Sequence, residues 1–245
     1  ELQDEITETL VAALQGEGGE FERERAHRKP PESLDAWESY QRGLWHLWQV
    51  NPKDMAEAQR LFESAGELDA NFAQAFAALG FTIVSQVVYL YADSPLEALD
   101  QALLFANKAV ALDDKEATSH FALGRVQTFR GEFDAAIAEF RTAIALNPSL
   151  ALAHYGLGMA LILTDEFREA VSEADTAIRL SPRDPLVWGF YSYRAWGHLF
   201  LGDYEAAVDD ARQAIRHPAA RFWPHTQLAS ALAHLGRRDE AKIAL

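Results

Sequence analysis

The sequence predicts an all-α chain, a solenoid of stacked helix hairpins, and three observations carry that expectation. The stretch Ala117–Pro148 superimposes without a gap on Ala151–Pro182, a shift of 34 residues. Such a period marks an array of small helical units rather than one globular core. Glycine (14 residues) and proline (9 residues) are sparse in this 245-residue chain, and 49% of it is hydrophobic. That composition favours helix over sheet and excludes intrinsic disorder. Turn and stop residues also recur in register, Gly131 and Asp165 between helices and Pro148 and Pro182 at helix ends. Proline lacks the amide that would continue a helix.

Within the superimposed pair, His120, Leu123 and Gly124 fall on His154, Leu157 and Gly158, while Ala136, Ala143 and Pro148 fall on Ala170, Ala177 and Pro182. Phe140 falls on Ala174, a large-to-small change in an otherwise matching lattice. The small residues sit where two helices of a hairpin must approach closely. This pattern resembles the tetratricopeptide-repeat (TPR) family, and the resemblance implies a right-handed α-solenoid that binds rather than catalyses. The register extends outward as about five complete repeats plus a truncated sixth. Repeat one carries Gly43 and Ala58, Phe62 and Ala65, with an over-long turn at Val50–Asp54. Repeat two has Leu79-Gly80, then Ala102, Ala106 and Ala109, with roughly ten extra residues between its helices. In that insertion Ile83, Val84, Val87, Val88, Tyr89 and Tyr91 suggest a strand on propensity alone. Repeat register overrides this, so helix A is expected to run to about Ala92 and helix B to start after Ser94-Pro95. Extra packing on a neighbouring repeat and a docking surface are both open readings of the long hairpin. Repeat five ends on Ala207, Ala211 and Pro218, turns at Gly202, and is expected to begin with Asp184 as N-cap and Pro185 at N1. Repeat six begins near Phe222 and turns at Gly236–Asp239.

Three segments are expected: an amphipathic helix at 1–15, a charged linker at 16–33, and the repeat array at 34–245. Leu2, Ile6, Leu10 and Leu14 fall at helical spacing, and Gly16-Glu17-Gly18-Gly19 ends the pattern. The glycine cluster lacks a phosphate-loop fingerprint, so it reads as linker. Three runs here, Leu2–Ile6, Arg28–Trp37 and Tyr40–Gly43, resemble a junction in certain bacterial proteins. In those, a class III adenylate/guanylate cyclase domain or a winged-helix DNA-binding domain precedes a TolB-like segment and a C-terminal TPR array. The resemblance implies an interaction or regulatory region of a larger signalling protein, with any catalytic domain before Glu1. A start without Met and a stop within a helical pattern give the same expectation, an excised fragment.

Chemistry is absent from this pattern. There is no cysteine, which removes disulfides and thiolate sites and makes cytoplasm the default location. A formal net charge of -15, from 37 acidic and 22 basic residues, repels phosphate backbones and anionic lipid. Neither nucleic acid nor a membrane is an expected partner. His120, His154 and His225 recur at one repeat position. Equivalent positions lie about 8–10 Å apart, whereas zinc ligands lie about 2 Å from their ion, so packing is expected there and no metal. The pairs Asp113-Asp114 and Asp209-Asp210 read as a solvated helix face. No cofactor and no catalytic residue is expected.

The TPR resemblance places a partner groove on helix A of each repeat. Its candidate residues here are Trp37, Tyr40, Phe81, Phe121, Arg125, Tyr155, Met159, Trp196 and Trp223. Chaperone-tail capture needs lysine and asparagine where this chain has Tyr40, Phe121, Tyr155 and Leu44, Arg125, Met159. An apolar and aromatic face suits an amphipathic helix, an extended apolar peptide or a second copy. Two alternatives stay open: several of these residues are core, or the N-terminal helix itself fills the groove.

Overall fold

The computed structural model describes residues 35–220 and 222–245. The expected N-terminal helix and linker lie outside the described residues. Among the described residues there are twelve helices and no strand. They form two compact units, one ending at Ser149 and one spanning Leu150–Leu245.

The first unit contains three antiparallel hairpins. These are α1 (Ala36–Leu47) with α2 (Pro52–Leu68), α3 (Ala73–Val88) with α4 (Pro95–Leu112), and α5 (Ala117–Arg130) with α6 (Phe133–Leu146). The second unit repeats the scheme with α7 (Ala151–Leu163) and α8 (Phe167–Leu180), α9 (Val187–Leu201) and α10 (Tyr204–Ile215), α11 (Phe222–His234) and α12 (Arg238–Ala244). Within each unit the first helices of successive hairpins also touch, α1 to α3 to α5 and α7 to α9 to α11. The all-α hairpin array read from the repeat is therefore the observed fold.

Local sequence explains several of the starts and stops. Asp35 and Glu38 form a reciprocal capping box at α1, the Asp35 carboxylate accepting from the Glu38 amide at 2.8 Å. Asn51 caps α2 by accepting from the Asp54 amide at 3.0 Å, and Pro52 takes the first turn, where no amide is needed. The turn of repeat one is thus shorter than expected, because Pro52–Asp54 already belong to the helix. At the end of α5, Gly131 adopts φ 78°. Its amide donates to the Thr128 carbonyl (3.1 Å), and the Glu132 amide donates to Gln127 (2.9 Å). This left-handed cap satisfies carbonyls that the helix end would orphan. The same two bonds recur at Gly202 and Gly236, and Asp165 stands in the equivalent turn at φ 65°.

Hairpins close where the lattice places small residues. A Cβ on Gly124 would lie 3.0 Å from the Phe140 ring and 3.1 Å from the Ala136 carbonyl oxygen. On Gly158 it would lie 3.2 Å from the Ala170 oxygen. Ala136, Ala143 and Phe140 are fully buried, and so is Ala177.

Two boundaries differ from expectation. Helix α3 stops at Val88 rather than near Ala92, because Leu90 takes φ 61° and closes the same left-handed cap. Helix α9 starts at Val187, two residues beyond the expected site. Asp184 instead accepts from the Leu186 amide at 2.9 Å, so Asp184-Pro185 form a turn leading into the helix.

Candidate functional site

The helix-A face of the first unit carries two aromatic groups. Trp37 stacks on Phe72 at 6.1 Å between ring centroids and lies 5.7 Å from Tyr40. Tyr40 in turn meets Phe72 (5.1 Å) and Phe62 (5.8 Å). Trp37 is 45% exposed, so this group presents a ring to solvent. The other group runs from Trp48 to Phe81 (6.1 Å), Phe121 (5.4 Å) and Phe140 (6.2 Å). Phe81, Phe121 and Arg125 are buried. The Arg125 guanidinium lies 5.1 Å from the Phe129 ring.

In the second unit, Tyr155 packs against Phe190 (5.0 Å) and Tyr193 (5.4 Å), and Tyr193 meets Trp196 edge-on at 5.8 Å. Tyr155 and Met159 are buried, while Tyr193 and Trp196 are half-buried. Trp223, also half-buried, stacks on Trp188 at 6.2 Å and touches the exposed Phe222 at 4.6 Å. Beneath this face Ser192 donates to the Gln227 amide oxygen at 2.9 Å, both residues buried, tying α9 to α11.

The nine residues chosen from sequence therefore divide by depth. Phe81, Phe121, Arg125, Tyr155 and Met159 pack inside their units. Trp37, Tyr40, Trp196 and Trp223 retain surface. Sequence reasoning missed Phe72 and Tyr193. Phe72 precedes the first helical residue of α3, outside the register used to choose groove positions. Tyr193 sits in repeat five, and its spacing of three from Trp196 places both rings on one helix side.

Charge pairs join helix A to helix B in the two strictly periodic hairpins, α5/α6 and α7/α8. His120 Nδ1 lies 2.6 Å from Glu139 Oε2, and its Nε2 lies 2.9 Å from the Asp114 carbonyl oxygen. One period later, His154 Nδ1 lies 2.6 Å from Glu173 Oε2. Both histidines are buried, so they bolt helix A to helix B. His225 departs from the packing expectation, being exposed with its Nδ1 3.2 Å from the Ala244 carbonyl.

Asp210 also departs from expectation. It is buried rather than solvated, and Arg194 grips it through Nε (2.9 Å) and Nη2 (2.5 Å) while reaching Asp175 through Nη1. Burial acts to lower the Arg194 guanidinium, but the hydrogen bonds and charges of the two aspartates outweigh it and raise it. Asp210 occupies the place of Glu139 and Glu173, three residues past the buried alanines Ala207, Ala136 and Ala170. That shared place was the signal available in the sequence. Among the described residues no cluster of His, Asp or Glu is placed to hold a metal ion. None of the described helices is long and apolar enough to cross a membrane.

Two family descriptions match parts of this lattice, "TPR repeat" over residues 129–163 and "Tetratricopeptide repeat" over residues 223–242. Over those two stretches the chain matches TPR repeats. Solved TPR structures share the fold. TTC0263, a thermophilic TPR protein in Thermus thermophilus, aligns with a TM-score of 0.61 at 19% identity. That alignment covers 81% of this chain and 99% of the other. The APC/C hetero-tetramer Cut9–Hcn1 aligns with a TM-score of 0.67 at 19% identity, over 96% of this chain and 46% of the other. At such identity the likeness concerns fold alone. A Rhizobium meliloti (strain 1021) protein named "Putative adenylate cyclase 3" is 28% identical over 135 residues. The match spans 55% of this chain and 23% of that protein.

Proposed function

We propose that this chain is a protein-interaction and regulatory scaffold, the C-terminal TPR part of a bacterial class III adenylate/guanylate cyclase. The observation that carries the binding reading is the partly open aromatic helix-A face of each unit. Trp37 with Tyr40 and Phe72 marks it in the first, and Trp196 with Tyr193 in the second. Large rings with one edge in solvent supply contact area at low entropic cost, which is how interface anchors work. An amphipathic helix or extended apolar peptide suits such a face, and no lysine-asparagine clamp for an acidic tail accompanies it.

Tyr155 supports Trp196 through Tyr193, whereas Phe81, Phe121, Arg125 and Met159 lie buried and are not offered to the partner in this reading. A protein partner in the cytoplasm fits the chain's acidity, which disfavours nucleic acid and anionic lipid. The cyclase assignment draws support from the junction-like runs around Arg28–Gly43 and from the partial match to a protein of that name.

Two measurements test the reading. Capture of cellular partners by wild type, Trp37→Ala and Trp196→Ala is expected to show a specific protein whose recovery falls in at least one variant. Undiminished recovery in both would rule out the aromatic face as the binding surface. The coding sequence upstream of Glu1 is expected to encode a cyclase domain with its metal-binding aspartates. A basic recognition helix there would replace the cyclase with a transcriptional regulator.

A further inference from the structure

The tip of the α3–α4 hairpin presents leucine where stability alone favours other residues. Leu90 closes α3 in the left-handed conformation, its amide donating to Val87 (3.1 Å) and the Tyr91 amide to Gln86 (2.8 Å). Glycine fills the same role at 131, 202 and 236. A side chain there costs about 1–2 kcal/mol of backbone strain. Leu90 recovers little of this by burial, being 81% exposed. Leu96, at the start of α4, is 79% exposed, and Leu104 is 71% exposed. Leu96, Asp100 and Leu104 recur every fourth residue, so they line one stripe of the helix. Single exposed leucines are ordinary, but Leu96 and Leu104 share one helix stripe and Leu90 stands in the turn that leads into that helix.

The hairpin segment that carries these leucines is acidic in its own sequence. From Gln86 to Asn107 the only charged residues are Asp93, Glu97 and Asp100, all exposed. Two cations that reach this hairpin or lie on it are engaged. Arg130 bonds Asp100 and Glu132, and Lys108 lies 3.6 Å above the Phe76 ring. We propose that this stripe is a second docking surface, separate from the aromatic face, and that its occupant is a basic amphipathic helix. These leucines would meet the apolar seam of that helix, and Asp93 and Glu97 its flanking Lys or Arg residues. A second copy of the chain would set these acids against their own like, in a molecule of net charge -15. An anionic membrane meets the same repulsion.

The test uses the full chain and two labelled synthetic helices, one of leucine and lysine and one with glutamate replacing each lysine. Fluorescence anisotropy is expected to show binding of the lysine helix only. The Leu96→Asp/Leu104→Asp double variant is expected to bind it at least about tenfold more weakly. This variant is more acidic than wild type, so general electrostatic attraction moves affinity the opposite way. Leu68→Asp, at an exposed leucine at the end of α2, is expected to bind as wild type does. Four results would each overturn the proposal. These are no binding by wild type, equal binding of the glutamate helix, undiminished binding by the double variant, and a wild-type dimer that the double variant dissociates.

Discussion

Hairpins α3/α4 and α5/α6 are neighbours in the same unit and solve the same packing problem with different chemistry. At the site where helix A faces helix B, α5/α6 places His120 against Glu139, while α3/α4 stacks Phe76 on Phe105 at 6.4 Å and 14°. These are equivalent positions, four residues before Gly124 or Gly80 and three after Ala136 or Ala102. At their open ends the contrast repeats, since Gly131 closes one turn without strain and Leu90 the other with it. The lattice of small residues fixes the distance between helices, and the site beside it accepts either dispersion or a charge pair. TPR geometry in this chain therefore depends on glycine and alanine more than on the residue type at the paired site.

The largest expected effect of a substitution within this comparison comes from Phe140→Ala. Phe140 is fully buried beneath Gly124, whereas α3/α4 has Ala106 at the equivalent place and needs no filling there. Chemical denaturation is expected to show a loss of about 3–5 kcal/mol. Next comes the charge pair. Glu139→Phe alone strands the buried His120, at about 1–3 kcal/mol, and His120→Phe alone leaves the half-buried Glu139 unpaired at the lower end of that range. The double substitution transplants the Phe76/Phe105 solution and is expected to recover most of that loss, because apolar replacements of buried pairs are often neutral. Additive losses in a double-mutant cycle would show that the two chemistries are not interchangeable. The turns give a smaller effect of opposite sign. Leu90→Gly is expected to raise stability by about 1 kcal/mol, and Gly131→Leu to lower it by a similar amount.

The smallest effect is pH-dependent and lies in α1/α2. Burial acts to raise the Asp54 carboxyl, but hydrogen bonds from Asn51 and His46, with the charges of His46 and Lys53, hold it below its usual range. A depressed carboxyl stabilises the fold fully above its unfolded pKa of about 3.9, and the contribution fades as pH falls through the folded value. Acid titration of Asp54→Asn against wild type is expected to show a stability gap at neutral pH that closes below about pH 4. A gap that widens in acid would reverse the assignment.

Much of this fold was legible because its signals are one-dimensional. A Gly–Ala lattice, a fixed period and glycine turns survive as spacing, and spacing placed Gly124 against Ala136 correctly. The site was less legible for a physical reason. Helix-A positions chosen by register say which side of a helix a residue occupies, but depth depends on what the neighbouring helix brings. Phe121 and Trp37 follow the same positional rule, yet Phe81 and Phe140 cover Phe121 while Trp37 keeps an open edge. Asp210 shows the converse, a charge that reads as solvent-facing until Arg194 arrives from another helix. The strand-like run Ile83–Val88 was resolved by register, but its end was not, because a leucine cap carries no turn signature.

The central claim is that the open aromatic residues, rather than the buried ones, are what a partner touches. The direct measurement is partner capture by Trp196→Ala and Trp37→Ala, with helicity and thermal stability recorded for each variant. A specific partner is expected to be lost from at least one variant whose helix content and melting temperature match wild type. A partner retained at full yield by both, or lost only where the fold is also lost, would contradict that claim.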